Sequence, residues 1–158
     1  MHYTVGAISS LPTCAASPLV KPHDGLYLAR VITHARTTLV TSAILLALAT
    51  GLGAYAAHGL ERVLEPPALE NFRTGVQYRF YHALGLFGLA LLLERHPQSR
   101  PLAVSAWLLF AGILLFCGSL YVTAFGVLRF LTAAAPIGGL CFIAGWIALA
   151  YGAARLRD

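Results

Sequence analysis

Charged residues punctuate this chain in clusters and leave long stretches free of them. After residue 36, four long runs contain no Asp, Glu, Lys or Arg: residues 37–60, 80–93, 101–128 and 130–154. A helix needs about 20 apolar residues to cross about 30 Å of hydrocarbon, so the first, third and fourth runs span a bilayer unaided. The second is short, but its helix can begin earlier. Pro66-Pro67 suits a first helical turn, and nothing between Ala68 and Leu93 breaks the helix that follows. Ala68, Leu69, Phe72 and Val76 then form an apolar stripe along the membrane surface before the helix enters it. The pattern predicts an all-α fold, an integral membrane bundle of four transmembrane helices with short loops. The helices are expected over residues 38–58, 68–93, 102–126 and 131–153. Residues 1–36 hold Pro12, Pro18 and Pro22 and no helical or alternating period, so they read as a flexible N-terminal tail ahead of a transmembrane domain at 37–158.

Composition narrows the class. Of 158 residues, 58% are apolar and 11% charged, against about 45–50% and about 25% in an ordinary soluble domain. The mean hydropathy is +0.74. A disordered chain is thereby excluded, and a soluble globular fold is disfavoured. The net charge of +5 does not indicate a nucleic-acid partner, because the 11 Lys and Arg residues flank apolar runs and form no patch. The partner they fit is the lipid bilayer. Lys21, Arg30, Arg36, Arg95, Arg100, Arg155 and Arg157 fall on one side, and Arg62, Arg73, Arg79 and Arg129 on the other. The more basic side faces the cytoplasm, which predicts both termini there. Three cysteines imply no disulfide framework, and Cys117 and Cys141, inside predicted helices, read as small apolar fillers.

Helices in lipid gain nothing from hydrophobic burial against one another, so small residues that let backbones approach mark the contacts. The third helix carries Ser105, Gly112, Ser119 and Gly126 at a spacing of seven; the fourth carries Gly138, Gly145 and Gly152 at the same spacing. Seven residues drift only about 20° on an ideal helix, so each set makes one nearly straight face. The expectation is an antiparallel pair packed along these faces. The first helix offers Ala43, Ala47 and Gly51 at spacing four, with Thr50, Ala54 and His58 on the adjoining ridge.

Ionisable and polar groups at membrane depth are costly and call for a reason. His58 ends the first helix, and His82 lies near the start of the apolar part of the second, so a hairpin is expected to bring them to similar depth. Gly75, Tyr78, His82 and Gly85 share one stripe of the second helix. Ser119 and Tyr121 approach the same side from the third helix, and Arg129 with Pro136 closes the turn into the fourth. The candidate polar cluster is therefore His58, Tyr78, His82, Ser119, Tyr121 and Arg129, with the Tyr78 hydroxyl placed to bond a ring nitrogen of His82.

Three readings of this cluster stand side by side. It can be a hydrogen-bonded structural knot, a path for a proton or small solute through the two histidines, or a metal or haem site with both as ligands. Two histidines without a nearby Asp, Glu or Cys do not complete a zinc site, so no metal residues and no cofactor are assigned. No serine–histidine–acid trio, phosphate loop or dinucleotide fingerprint occurs, and no catalytic residue is assigned. These features favour a non-enzymatic interaction or assembly component, acting as a homo-oligomer or with another membrane protein. The alternative is a small transporter or channel-like element using His58 and His82.

Four segments occur in a specific order: Gly53-Ala54-Tyr55-Ala56-Ala57-His58-Gly59-Leu60; Thr74-Gly75 with Tyr78 and His82-Ala83-Leu84; Gly118-Ser119-Leu120-Tyr121; and Pro136 with Gly138-Gly139 and Gly145-Trp146. Together they resemble domain-of-unknown-function family 423, small bacterial membrane proteins, over residues 36–157. Ala56 stands where that family often has glycine, and Ala135 where it often has threonine. The resemblance implies four transmembrane helices in a plasma membrane, and it implies no reaction.

Overall fold

The computed structural model of the protein describes residues 22–127 and 129–156, with side chains from 34 to 127 and from 131 to 156. Its four long helices are α1 (Pro22–His58), α2 (Pro66–Arg95), α3 (Arg100–Ala124) and α4 (Ala134–Ala153). Short 3-10 turns, Leu60–Arg62 and Arg129–Ala133, join α1 to α2 and α3 to α4. All four are long and apolar enough to cross a membrane. Many of their large side chains (Ile44, Trp107, Leu140 and Ile147 among them) point outward, as a helix bathed in lipid requires.

Local chemistry sets the ends. Glu65 is extended at ψ 150°, and the two prolines after it occupy the first turn of α2, where a missing N–H costs nothing. Ser99 and Pro101 start α3 in the same way. Its other end is Gly126, whose φ of +72° closes the helix with an N–H bond of 3.0 Å to the Thr123 carbonyl. Gly126 was expected on the packing face; it is instead exposed and terminates the helix, because only glycine takes that backbone conformation without strain. α1 begins at Pro22, far ahead of the expected residue 38, so the backbone from 22 to 36 is helical where a flexible tail was expected. Pro22 again fits a first turn, and the charges that follow interrupt the apolar pattern without breaking a helix. Residues 1–21 of the expected tail lie outside the described residues.

Packing is strongest in two antiparallel pairs, α1 with α2 and α3 with α4, joined by α2 against α3. The α1 face turned to α2 is Ala35, Ser42, Ala49 and Ala56, spaced by seven, with Leu45. Ala43, Ala47 and Gly51, the expected face, are exposed. Both stripes are small; the heptad one meets α2, with Gly53 level with Val76. In the second pair, the Ser105 hydroxyl donates to the Gly145 carbonyl at 2.7 Å, and Gly112 abuts Gly138. A Cβ on Gly152 would meet Leu102, and one on Gly145 would meet Leu109.

α3 is not uniformly α-helical. Residues Ile113–Cys117 form a π turn, which takes up more residues per turn than an α-helix and rotates everything after it. Before this turn the rod packs mainly on α4; after it, segment Gly118–Ala124 packs mainly on α2. Ser119 is buried, yet it no longer continues the seam of Ser105 and Gly112. Its hydroxyl instead donates to the Phe116 carbonyl of its own helix at 2.8 Å. The expected strict heptad through all of α3 is thus broken by helix geometry that spacing alone does not reveal.

Candidate functional site

Two groups of side chains stand out where α2 meets α3 and α4. The first surrounds His82, which is 7% exposed. Phe142 of α4 stacks on its ring with centroids 3.4 Å apart and planes 15° apart, while Tyr78 stacks at 5.8 Å. Phe116, carried by the π turn, lies 4.8 Å from Tyr78 and 5.7 Å from Phe142. Trp146 closes over Gly85, where any Cβ would strike its ring. His82 Nδ1–H donates to the Tyr78 backbone carbonyl at 2.7 Å, so the expected partner, the Tyr78 hydroxyl, is not the one used. The carbonyl one turn back on the same helix lies within reach of the ring nitrogen. This contact fixes the Nδ1–H tautomer and leaves Nε2 as the acceptor.

The second group is centred on Tyr121, about two turns nearer the membrane surface. Its ring lies against Gly75 and 4.8 Å from Phe72. The Arg79 guanidinium sits over its face, 4.7 Å from the centroid. Arg79 Nε and the Tyr121 hydroxyl are both buried and have no hydrogen-bond partner among the described residues. Further out, Arg73 pairs with Glu61 and ties the turn after α1 to α2 in an exposed ion pair.

The expected cluster is therefore divided. Tyr78 and His82 belong to the first group and Tyr121 to the second, and Ser119 bonds only within its own helix. His58 joins neither. It is exposed, and the antiparallel register set by Gly53 and Val76 puts it level with Asn71, about 16 Å along the helix from His82. The two histidines were expected at one depth; the length of the α1–α2 overlap, which the loop sequence does not reveal, separates them. The side chain of Arg129 lies outside the described residues. Sequence reasoning passed over Phe116, Phe142 and Arg79 as site residues. Arg79 carried a signal, a cation one position before an uncharged run and three before His82; the two phenylalanines carried none. No group of three or more His, Cys, Asp or Glu able to hold a metal occurs among the described residues.

Four apolar helices joined by short turns, with their polar contacts drawn inward, define an integral membrane protein of the small four-helix class. Residues 52–139 match the family described as Protein of unknown function (DUF423). The chain is 43% identical to the UPF0382 membrane protein YwdK of Bacillus subtilis over 74% of this chain and 95% of that protein. It is 45% identical to a UPF0382 membrane protein of Haemophilus influenzae, over 68% and 85%. With the UPF0382 inner membrane protein YgdD of Escherichia coli it shares 33% identity over 77% and 92%. The chain belongs to this family, as its sequence motifs implied. No solved structure matches it.

Proposed function

We propose that this protein is a non-enzymatic assembly component of the bacterial inner membrane, with both termini in the cytoplasm, and that it self-associates through α1. The observation that carries the reading is the bare outer face of α1. Among the described residues this helix packs extensively only on α2. Its opposite side presents Ala43, Ala47 and Gly51 at spacing four, all exposed, with nothing within 4 Å of a Cβ built on Gly51. Small residues one turn apart let two helix backbones approach in lipid, and a face of this kind is self-complementary under a two-fold axis. Beside it lies a cleft of about 270 Å³ between Thr38, Thr41, Trp107 and Phe110, floored by Leu86 and Leu93. A second copy would fill it with apolar side chains.

The alternative, a proton or small-solute path through His58 and His82, requires the two rings in relay. Their separation of about 16 Å along the helix, and the close packing of His82 on Phe142 and Tyr78, speak against it.

Single-cysteine variants test the association, with Cys14, Cys117 and Cys141 replaced by serine. Ala47→Cys and Gly51→Cys in native membranes are expected to give disulfide-linked dimers on mild oxidation, and Ile147→Cys, exposed on α4, is not. Equal linkage at all three positions, or at none, would refute self-association through α1. Orientation is checked in the same background with an impermeant maleimide on spheroplasts. Arg129→Cys should label from outside and Gln98→Cys only after lysis; the reverse pattern inverts the topology.

A further inference from the structure

We infer that Arg79 and Tyr121 form a phosphate-binding site, and that the phosphate is the headgroup of a phospholipid. Arg79 is a permanent cation on a transmembrane helix, and it makes no hydrogen bond or ion pair among the described residues. Such a charge at membrane depth is costly unless an anion meets it. Glu61, at the same end of the bundle, is already held by Arg73. The guanidinium is positioned by the Tyr121 ring beneath it, and that ring is seated against Gly75, where a side chain would displace it. Arg79 Nε and the Tyr121 hydroxyl, sealed inside the protein, find no acceptor among the described residues, while Arg79 as a whole is half-buried, so the rest of its guanidinium is what an anion reaches. A phosphate offers several acceptor oxygens and the geometry that a guanidinium fork matches.

Depth selects the source. From Gly75 to Glu94, α2 rises about 28 Å, nearly the full hydrocarbon thickness. Tyr121 lies at the Gly75 level and therefore at the hydrocarbon boundary. Arg79 starts one turn deeper and reaches outward along Tyr121 to that boundary, the course a basic side chain takes towards the headgroups. Phospholipid phosphates lie in that layer, which makes a headgroup the occupant at hand.

Thermal unfolding of the purified full-length protein in a neutral detergent tests this with three probes. Phosphatidylglycerol supplies phosphate and acyl chains, diacylglycerol supplies the chains alone, and glycerol 3-phosphate supplies the phosphate alone. Wild-type protein is expected to gain Tm with phosphatidylglycerol and not with diacylglycerol. Arg79→Gln should weaken the apparent affinity for phosphatidylglycerol about tenfold or more, while Arg73→Gln responds as wild type. A gain from glycerol 3-phosphate equal to that from phosphatidylglycerol supports the phosphate site and overturns the lipid source. A response to diacylglycerol matching that to phosphatidylglycerol, or an unchanged response in Arg79→Gln, overturns the site itself. Should Arg79→Gln fail to fold, native mass spectrometry of the wild type decides. Retention of phosphatidylglycerol over diacylglycerol supports the site, and equal retention overturns it.

Discussion

Gly138→Ala is expected to destabilise the protein by about 3 kcal/mol, the upper end of what overpacking costs. The added methyl would fall on the backbone nitrogen and Cβ of Phe116, closer than any real carbon sits. A flexible side chain could swing aside, but here the obstacle is main chain in the π turn of α3. Relief therefore requires α4 to separate from α3, which breaks the Ser105–Gly145 hydrogen bond as well. The adjoining Gly139→Ala is the control. Nothing lies within 4 Å of its Cβ position, so its stability should stay within about 0.5 kcal/mol of wild type. Gly112→Ala should fall between the two, since its methyl mainly meets the Phe142 ring, a side chain able to give way. Reversible unfolding in mixed detergent micelles measures all three. Equal stabilities for Gly138→Ala and Gly139→Ala would mean that the α3–α4 seam is wrongly placed.

The second large effect concerns His82. His82→Ala should cost about 3 kcal/mol, because it empties the space beside Phe142 and Tyr78 and forfeits a stacked ring. His82→Phe keeps the ring and loses only the Nδ1–H bond to the Tyr78 carbonyl, which also serves the helix; its cost should be about 1 kcal/mol. The ordering separates roles. A packing residue gives a large loss for alanine and a small one for phenylalanine. A residue that works through its titrating nitrogen gives stable variants of both kinds with altered activity, and nearly identical stabilities for the two would discard the packing role.

How far the sequence reached can be judged residue by residue. The four spans were legible because lipid imposes a length and an absence of charge that can be read directly from the chain. Ser105, Gly112, Gly138, Gly145 and Gly152 were legible as a seam because two matched heptads of small residues have few other uses in a membrane helix. In α1 the same logic led to the wrong face: Ala43, Ala47 and Gly51 compete with Ala35, Ser42, Ala49 and Ala56, and periodicity alone does not rank them. Residue size says where a helix can be approached, and only the partner's surface says where it is.

The sequence by itself therefore determined the membrane setting, the number of helices, their antiparallel order and most of the seam between α3 and α4. Each follows from a local rule about apolar length, loop length or small-residue spacing. The tertiary structure alone decided the rest. The π turn at Ile113–Cys117 rotates the end of α3 onto α2 and sends Phe116 to Gly138. The register of α1 on α2 separates His58 from His82, and the approach of α3 to α2 sets Arg79 over the Tyr121 ring. The physical reason is common to all three: they depend on how far one rod is slid and turned against another. That displacement is set by the sum of many weak contacts along the whole interface, and no short stretch of sequence encodes it.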